Sequence, residues 1–296
     1  MIMQKPSDNL FFGYSPETKI RLVYADVSDS ARILEQNHLS GPVAGLIQAE
    51  ALAGVALLAS ELSEAQETVT LRITCDGPIE GLLVEAGRNG DLRGYTKVKV
   101  INDLDETPER EVADAYGRSG QAQIIRSVPG RVLAHAYFGL EPVSIGRAVE
   151  SYFQQSLQRR TSVQVLSSRY DDFLDTARGV LIDCLPDGDT AVFERVCDNL
   201  GDTALQDLLE DGCTFSEIAT QLGFKDMQLK ETRAMQFGCR CSAERVDDMF
   251  ALLPDEDLLA LSQQEAPIDI FCHMCGRGYM VQPAFLSELL RKRKDT

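Results

Sequence analysis

The sequence predicts an α+β fold in three parts, and three observations carry that expectation. Short apolar runs broken by turn dipeptides fill the first 183 residues, an acidic stretch with helical apolar spacing follows, and two cysteine pairs lie near the end. The first pattern predicts an N-terminal mixed, largely antiparallel sheet domain with helices; the second, a helical linker; the third, a small C-terminal module organised by a metal. The expected boundaries are 1–183 for the core, 184–237 for the acidic linker, 238–290 for the cysteine module and 291–296 for a basic tail.

Within the core, residues 20–27 alternate enough for a strand, and 29–37 read as a short helix with Ser28 or Asp29 near its N-cap. Residues 42–62, the longest apolar stretch, carry Gln48, Glu50 and Glu61 among Ala and Leu, which predicts a buried helix and not a membrane span. Strands are expected over 69–75, 79–85 and 92–100, separated by Asp76-Gly77-Pro78 and Asn89-Gly90. Residues 121–128 and 132–138 make another pair across Pro129-Gly130, 145–158 a helix, and 162–167 and 180–184 the closing strands.

Residues 185–238 differ in kind. Eleven acidic side chains face only four basic ones, Arg195, Lys225, Lys230 and Arg233, yet Leu205, Leu208 and Leu209, then Phe215, Ile218, Ala219 and Leu222, keep helical spacing. Such a segment folds only against another surface. Its run Thr214 to Phe224 reads as half of a helix-turn-helix whose second helix would begin at Lys225. The bases Arg291, Lys292, Arg293 and Lys294 are expected at a helix C-terminus, where they complement the dipole.

The last part holds Cys239-Arg240-Cys241, thirty intervening residues, then Cys272-His273-Met274-Cys275-Gly276. Residues i and i+2 of an extended chain share a face, and a C-x-x-C-G turn brings its two thiols together, with Gly276 free to adopt φ > 0. Four thiolates complete a tetrahedral shell, so Cys239, Cys241, Cys272 and Cys275 are expected to bind one Zn²⁺, leaving His273 outside it. A thioredoxin-like pair at Cys272 and Cys275 would need a βαβ context; strands entering at 268–271 and leaving at 279–281 fit a zinc knuckle better. So small a module depends on its metal for folding, and thiolates oxidised by peroxide or hypochlorite no longer ligate. The site can therefore act as an oxidant sensor whose output is unfolding.

Composition narrows the function. With 29 Lys plus Arg against 46 Asp plus Glu, the net charge of −17 repels phosphate backbones. No secretory leader is read around Lys5, Pro6, Ser7 and Asp8, so a cytoplasmic address and reduced thiols are expected. Cys75, Cys184, Cys197 and Cys213 read as small buried hydrophobes. Only three histidines occur, His38, His135 and His273, none in a nucleophile motif, and no phosphate-binding glycine loop is present, so no enzymatic activity is expected. The alternative is a nucleic-acid-binding regulator using a zinc ribbon and the helix-turn-helix-like run.

The cysteine arrangement, together with Pro254-Asp255-Glu256, resembles the HslO family of redox-regulated heat-shock holdase chaperones of bacteria. The core is similar in Pro42-Val43, Cys75-Asp76-Gly77-Pro78-Ile79, Leu92-Arg93-Gly94-Tyr95 and Glu150-Ser151-Tyr152-Phe153, so the resemblance spans nearly the whole chain. It implies an ATP-independent holdase, inactive when reduced and zinc-bound. On oxidation it would form disulfides Cys239–Cys241 and Cys272–Cys275, release zinc, unfold its linker, dimerise, hold unfolding client proteins and pass them to foldase chaperones. Neither nucleic acid nor membrane is an expected partner. The sequence departs from the family in the run Ser156-Leu157-Gln158-Arg159-Arg160-Thr161 where Ser-Glu-Gln and then Pro-Thr are usual, at Ala177-Arg178-Gly179 where Gly-Gly is usual, and at Asp183 in place of Gln. These positions bear on how the linker docks.

Overall fold

The computed structural model describes residues 8–106 and 112–294. Most of the N-terminal stretch read for a leader, and the end of the basic tail, lie outside the described residues. Contacts group the chain into two compact units, Met1–Gly238 and Cys239–Thr296.

The first unit opens with strands β1 (Asn9–Ser15) and β2 (Ile20–Asp26), then helices α1 (Ser28–His38) and α2 (Pro42–Leu58). A meander β3 (Thr68–Cys75), β4 (Gly81–Gly87), β5 (Asp91–Thr96) follows, then short helices α3 (Asn102–Asp105) and α4 (Val112–Tyr116). Hairpin β6 (Gly120–Val128) and β7 (Arg131–Leu140), helix α5 (Ile145–Ser151) and the long hairpin β8 (Arg160–Tyr170) and β9 (Phe173–Cys184) complete the core. The acidic segment supplies α6 (Thr190–Leu200), α7 (Thr203–Asp211), α8 (Phe215–Gln221), β10 (Gln228–Ala234) and β11 (Gln236–Phe237).

Two sheets result. The first runs β10-β1-β2-β9-β8 and the second β11-β5-β4-β3-β6-β7, antiparallel throughout except where β11 meets β5. Helix α2 packs against strands of both, which is why it is apolar on every side: Ile47, Leu52, Leu57 and Leu58 are fully buried. It is also the one helix among the described residues long and apolar enough to cross a membrane, and 83% of that window is buried in the protein.

Several expectations are corrected. Helix α1 is capped by neither Ser28 nor Asp29. Asp8, at the entrance to β1, accepts the N–H groups of Asp29 at 2.9 Å and Ser30 at 2.8 Å, while Ser28 hydroxyl donates to Asp26 at 2.7 Å. A cap from a distant residue leaves no local signature. Strand β4 begins two residues late because Glu80 and Gly81 both adopt positive φ to turn the chain; a Cβ on Gly81 would meet Ile73 O at 2.2 Å. The helix expected through Gln158 stays α-helical only to Ser151, then widens into a π-turn over Tyr152–Ser156, with Leu157 N–H donating to Tyr152 O. The rings of Tyr152 and Phe153, both buried there, meet edge to face at 5.9 Å.

The helix-turn-helix reading fails at its second helix. After Gly223 the chain bends and enters strand β10, paired antiparallel with β1 from Asn9↔Ala234 to Tyr14↔Gln228. Asp226 fastens the bend, accepting from Ser15 Oγ at 2.6 Å and Glu17 N at 2.9 Å. Backbone groups that a recognition helix would satisfy internally are satisfied by β1 instead.

The second unit contains α9 (Ala243–Phe250), α10 (Asp255–Ser262), hairpin β12 (Ile268–Phe271) and β13 (Gly278–Val281), and α11 (Pro283–Lys294). Its core is Val246, Phe250, Leu258, Val281, Leu286 and Leu290, a small cluster for a unit of this length.

Candidate functional site

The four cysteines come from two irregular stretches of the second unit. Cys239 and Cys241 lie between β11 and α9, where the Ser242 hydroxyl caps α9 by accepting from Arg245 N at 3.2 Å. Cys272 and Cys275 sit in the loop of the β12–β13 hairpin. There Cys272 N donates to Arg277 O at 2.9 Å and Gly276 N to Cys272 O at 2.8 Å, and Gly276 has φ 72° as the turn requires. Side chains Ile268, Ile270 and Tyr279 fix the hairpin to the cluster beneath.

This frame gathers the four sulfurs, all within 4.8 Å of one another. Cys239 Sγ lies 3.8 Å from Cys272 Sγ, and Cys241 Sγ 3.5 Å from Cys275 Sγ. A tetrahedron with ligand bonds of about 2.3 Å has edges of about 3.8 Å, whereas a disulfide closes to about 2.05 Å. The thiols are therefore unjoined and spaced to hold one metal ion, and the donor set fits a soft or borderline ion. Burial pushes the Cys275 and Cys272 thiols up, so a bound cation is what would keep them ionised at neutral pH. His273 is exposed and outside the group of four.

The acidic segment is held on the first unit by a second device. Ile20, Leu22 and Tyr24 of β2 and Val180 and Ile182 of β9 present one face; Phe193, Val196, Leu200, Leu205, Leu209, Phe215, Ile218 and Leu222 pack onto it. Each large apolar side chain so buried contributes about 1.5–3 kcal/mol before chain entropy is subtracted. Part of the acidity has a structural use: Asp189 caps α6, Asp202 caps α7, and Thr214 with Glu217 forms a capping box on α8.

One family departure, Arg178, falls at this junction, while Asp183 points from β9 toward the Glu61 end of the α2 side. Arg178 on β9 bonds Asp26 at 2.8 Å and donates to the carbonyls of Leu209 and, at 3.1 Å, Glu210, so it clamps the C-terminal end of α7 to the sheet. Asp183, fully buried, lies 3.1 Å from Arg21 and 3.2 Å from Arg159, which also hold Glu61 at 2.6 and 2.7 Å. The departures at Arg159 and Asp183 are thus partners. Sequence reasoning missed Arg178, Asp226 and the buried Met235 between β10 and β11 as anchors of the segment; the arginine in place of glycine was the available signal. Cys184, Cys197 and Cys213 pack into this interface, each thiol raised by burial, and Cys75 is half-buried elsewhere in the core; none joins the quartet.

A sandwich of two sheets about one buried helix, carrying an acidic docked segment and a four-thiol module, defines a class of thiol-bearing two-unit proteins. The crystal structure of the 33 kDa chaperonin, a heat shock protein 33 homologue from Thermotoga maritima, shares this fold with a TM-score of 0.87 at 20% identity, covering 98% of this chain and all of that one. The 33 kDa chaperonin of Symbiobacterium thermophilum is 31% identical over 88% of this chain and 89% of its own length. That of Lachnoclostridium phytofermentans is 26% identical over 97% and 99%. The family model described as Hsp33 protein matches residues 8–282. The chain belongs to the Hsp33 family of chaperones.

Proposed function

We propose that this chaperone is a redox-regulated, ATP-independent holdase, dormant when reduced and recruited by oxidants and heat. The observation that carries the reading is the quartet of unjoined thiols at metal-ligand spacing, beginning just beyond a segment whose apolar stripe covers a sheet face. Zn²⁺ suits four thiolates best, with Cys239, Cys241, Cys272 and Cys275 as its ligands. When bound, it ties two distant stretches of chain together and supplies folding free energy that the small core lacks, on the order of 10 kcal/mol.

Oxidation takes that tie away. A thiolate pair gives two electrons to one hydrogen peroxide: an S–S bond forms, the O–O bond breaks, and two protons from solvent complete two waters. The sulfurs are then neutral and no longer bind a cation as thiolates do. The family resemblance implies pairing within each motif, Cys239–Cys241 and Cys272–Cys275, although the shortest distances in the reduced cluster run between motifs. With the module unfolded, the acidic segment loses its C-terminal anchor, frees its apolar stripe and the sheet beneath, and unfolding proteins bind there. Dimerisation of the oxidised form, hand-over to foldase chaperones, a cytoplasmic site of action and the lack of enzymatic activity complete the reading.

The test is aggregation of a heat-denatured enzyme followed by light scattering. Reduced, zinc-loaded protein leaves aggregation unchanged. After peroxide and mild heat it suppresses aggregation, while a chromogenic chelator detects about one zinc released per chain and peptide mapping identifies the two disulfides. Equal suppression by both forms contradicts the switch.

A further inference from the structure

We propose that the edge of β1, uncovered when the acidic segment leaves, is a strand-addition site: an extended stretch of an unfolded client, apolar at alternate positions, takes the place of β10. The inference rests on the releasable segment of the preceding reading and specifies how the client is recognised.

β10 is the outermost strand of its sheet, and all its residues but Arg233 are exposed. Backbone hydrogen bonds to β1 therefore hold it, with little burial behind them. The pairing is imperfect as well, slipping between Phe12 and Gly13. Arg233, whose guanidinium lies 4.7 Å from the Phe12 ring and donates to Ala59 O at 2.9 Å, is the main side-chain tie. Only residues 235–238, with the two-residue strand β11, separate β10 from Cys239, so disorder starting at the thiols reaches this strand before helices α6–α8.

β1 itself stays. It pairs with β2 along its full length, from Asn9↔Asp26 to Ser15↔Ile20; Leu10 is fully buried, and Phe11 stacks on Tyr24 at 5.5 Å. Loss of β10 leaves this strand with one bare edge. Met235 N–H donates to Asp8 O at 2.9 Å, and alternation in an antiparallel ladder puts the N–H and C=O groups of Leu10 and Phe12 on that same edge. A bare edge is a template for another chain, and the backbone bonds it offers ignore sequence, as a client-tolerant chaperone requires.

Side-chain selection comes from the face that α8 vacates. An ideal Cβ on Gly13 would lie 2.1 Å from Phe215 Cζ, so the ring of α8 occupies the space above this glycine. A cavity of about 480 Å³ lined by Phe11, Phe215, Met227 and Leu229 continues from it. Once Phe215, Met227 and Leu229 depart, the space over Gly13 beside Phe11 is open to a large apolar side chain of the incoming strand. The next such side chain falls two residues along.

Amide hydrogen exchange on the full chain, with reduced and carboxymethylated α-lactalbumin as the unfolded probe, tests this. Oxidation should speed exchange at Leu10 and Phe12 at least tenfold, and adding the probe should restore protection at least tenfold. Phe12→Pro, which removes one edge donor, should weaken binding of the probe by the oxidised chain about tenfold. If that variant does not fold, the exchange result on the parent chain decides alone. Suppressed aggregation with Leu10 and Phe12 exchanging equally fast with and without the probe overturns the edge site and leaves the holdase reading standing. Protection that returns without the probe and grows with protein concentration assigns the edge to a second copy and also overturns it. Failure to bind the probe after oxidation overturns both.

Discussion

Strands β2 and β9 have two faces and two different coverings. On one face lies α2, enclosed by a second sheet, with Ala53 and Leu57 seated against Gly179. On the other lie α6, α7 and α8, which bury a single stripe and turn a carboxylate-rich surface to solvent. On the proposed reading, the same sheet carries a permanent layer and a removable one. Removability, on that reading, comes from enclosure on one side only, from self-repelling charge, and from anchoring at few points within the first unit: Arg178, Asp226 and Met235.

The comparison is broken most severely at the thiols. Cys275→Ser should unfold the second unit and leave the removable layer exposed without oxidant, seen as constitutive suppression of aggregation and a zinc stoichiometry near zero. Truncations within the two layers sharpen the contrast. Leu52→Ala in α2 should cost about 2–5 kcal/mol of global stability by urea titration with the reduced protein still dormant. Leu205→Ala in α7, of similar size, should instead release the connector and raise activity of the reduced protein.

Smaller effects come from the anchors and from buried charge. Arg178→Ala removes charged hydrogen bonds worth about 1.5–3 kcal/mol and should lower the peroxide dose for half-activation. Burial pushes the Glu50 carboxyl of α2 up to about 7. A raised carboxyl favours the fold while protonated, so its cost grows as pH rises from about 4 to about 7. Glu50→Gln should therefore stabilise the core at pH 8, by on the order of 2 kcal/mol, and have little effect at pH 4. Asp226 shows the opposite sign: burial opposes its ionisation, yet hydrogen bonds from Ser15 and Glu17 hold its carboxyl below the usual range. Its contribution is present above pH about 4 and fades as pH falls through its lowered value, so acid below pH about 4 should loosen β10, detectable as faster exchange at residues 228–234.

Legibility in the sequence divides along the same line. The meander, α2 and the cysteine quartet were legible because apolar alternation, turn dipeptides and ligand spacing are local signals. β1 was hidden because Phe11 and Phe12 stand side by side before Gly13, which spoils the alternation. β10 was hidden because an exposed edge strand, Gln-Leu-Lys-Glu-Thr-Arg-Ala, has no buried face to pattern it. Its resemblance to the approach of a second helix came from Gly223, whose positive φ ends α8 without specifying the next element. Arg178 stood out as a departure, but its clamp on α7 needed the docked geometry to be seen.

The central claim is that thiol state controls the removable layer and leaves the permanent one alone. Amide hydrogen exchange of residues 190–234 against residues 42–58, compared between the reduced zinc-loaded and peroxide-oxidised protein, tests it most directly. The account predicts that protection is lost in 190–234 and retained in 42–58. Equal protection of 190–234 in both states, or simultaneous loss in both segments, would contradict it.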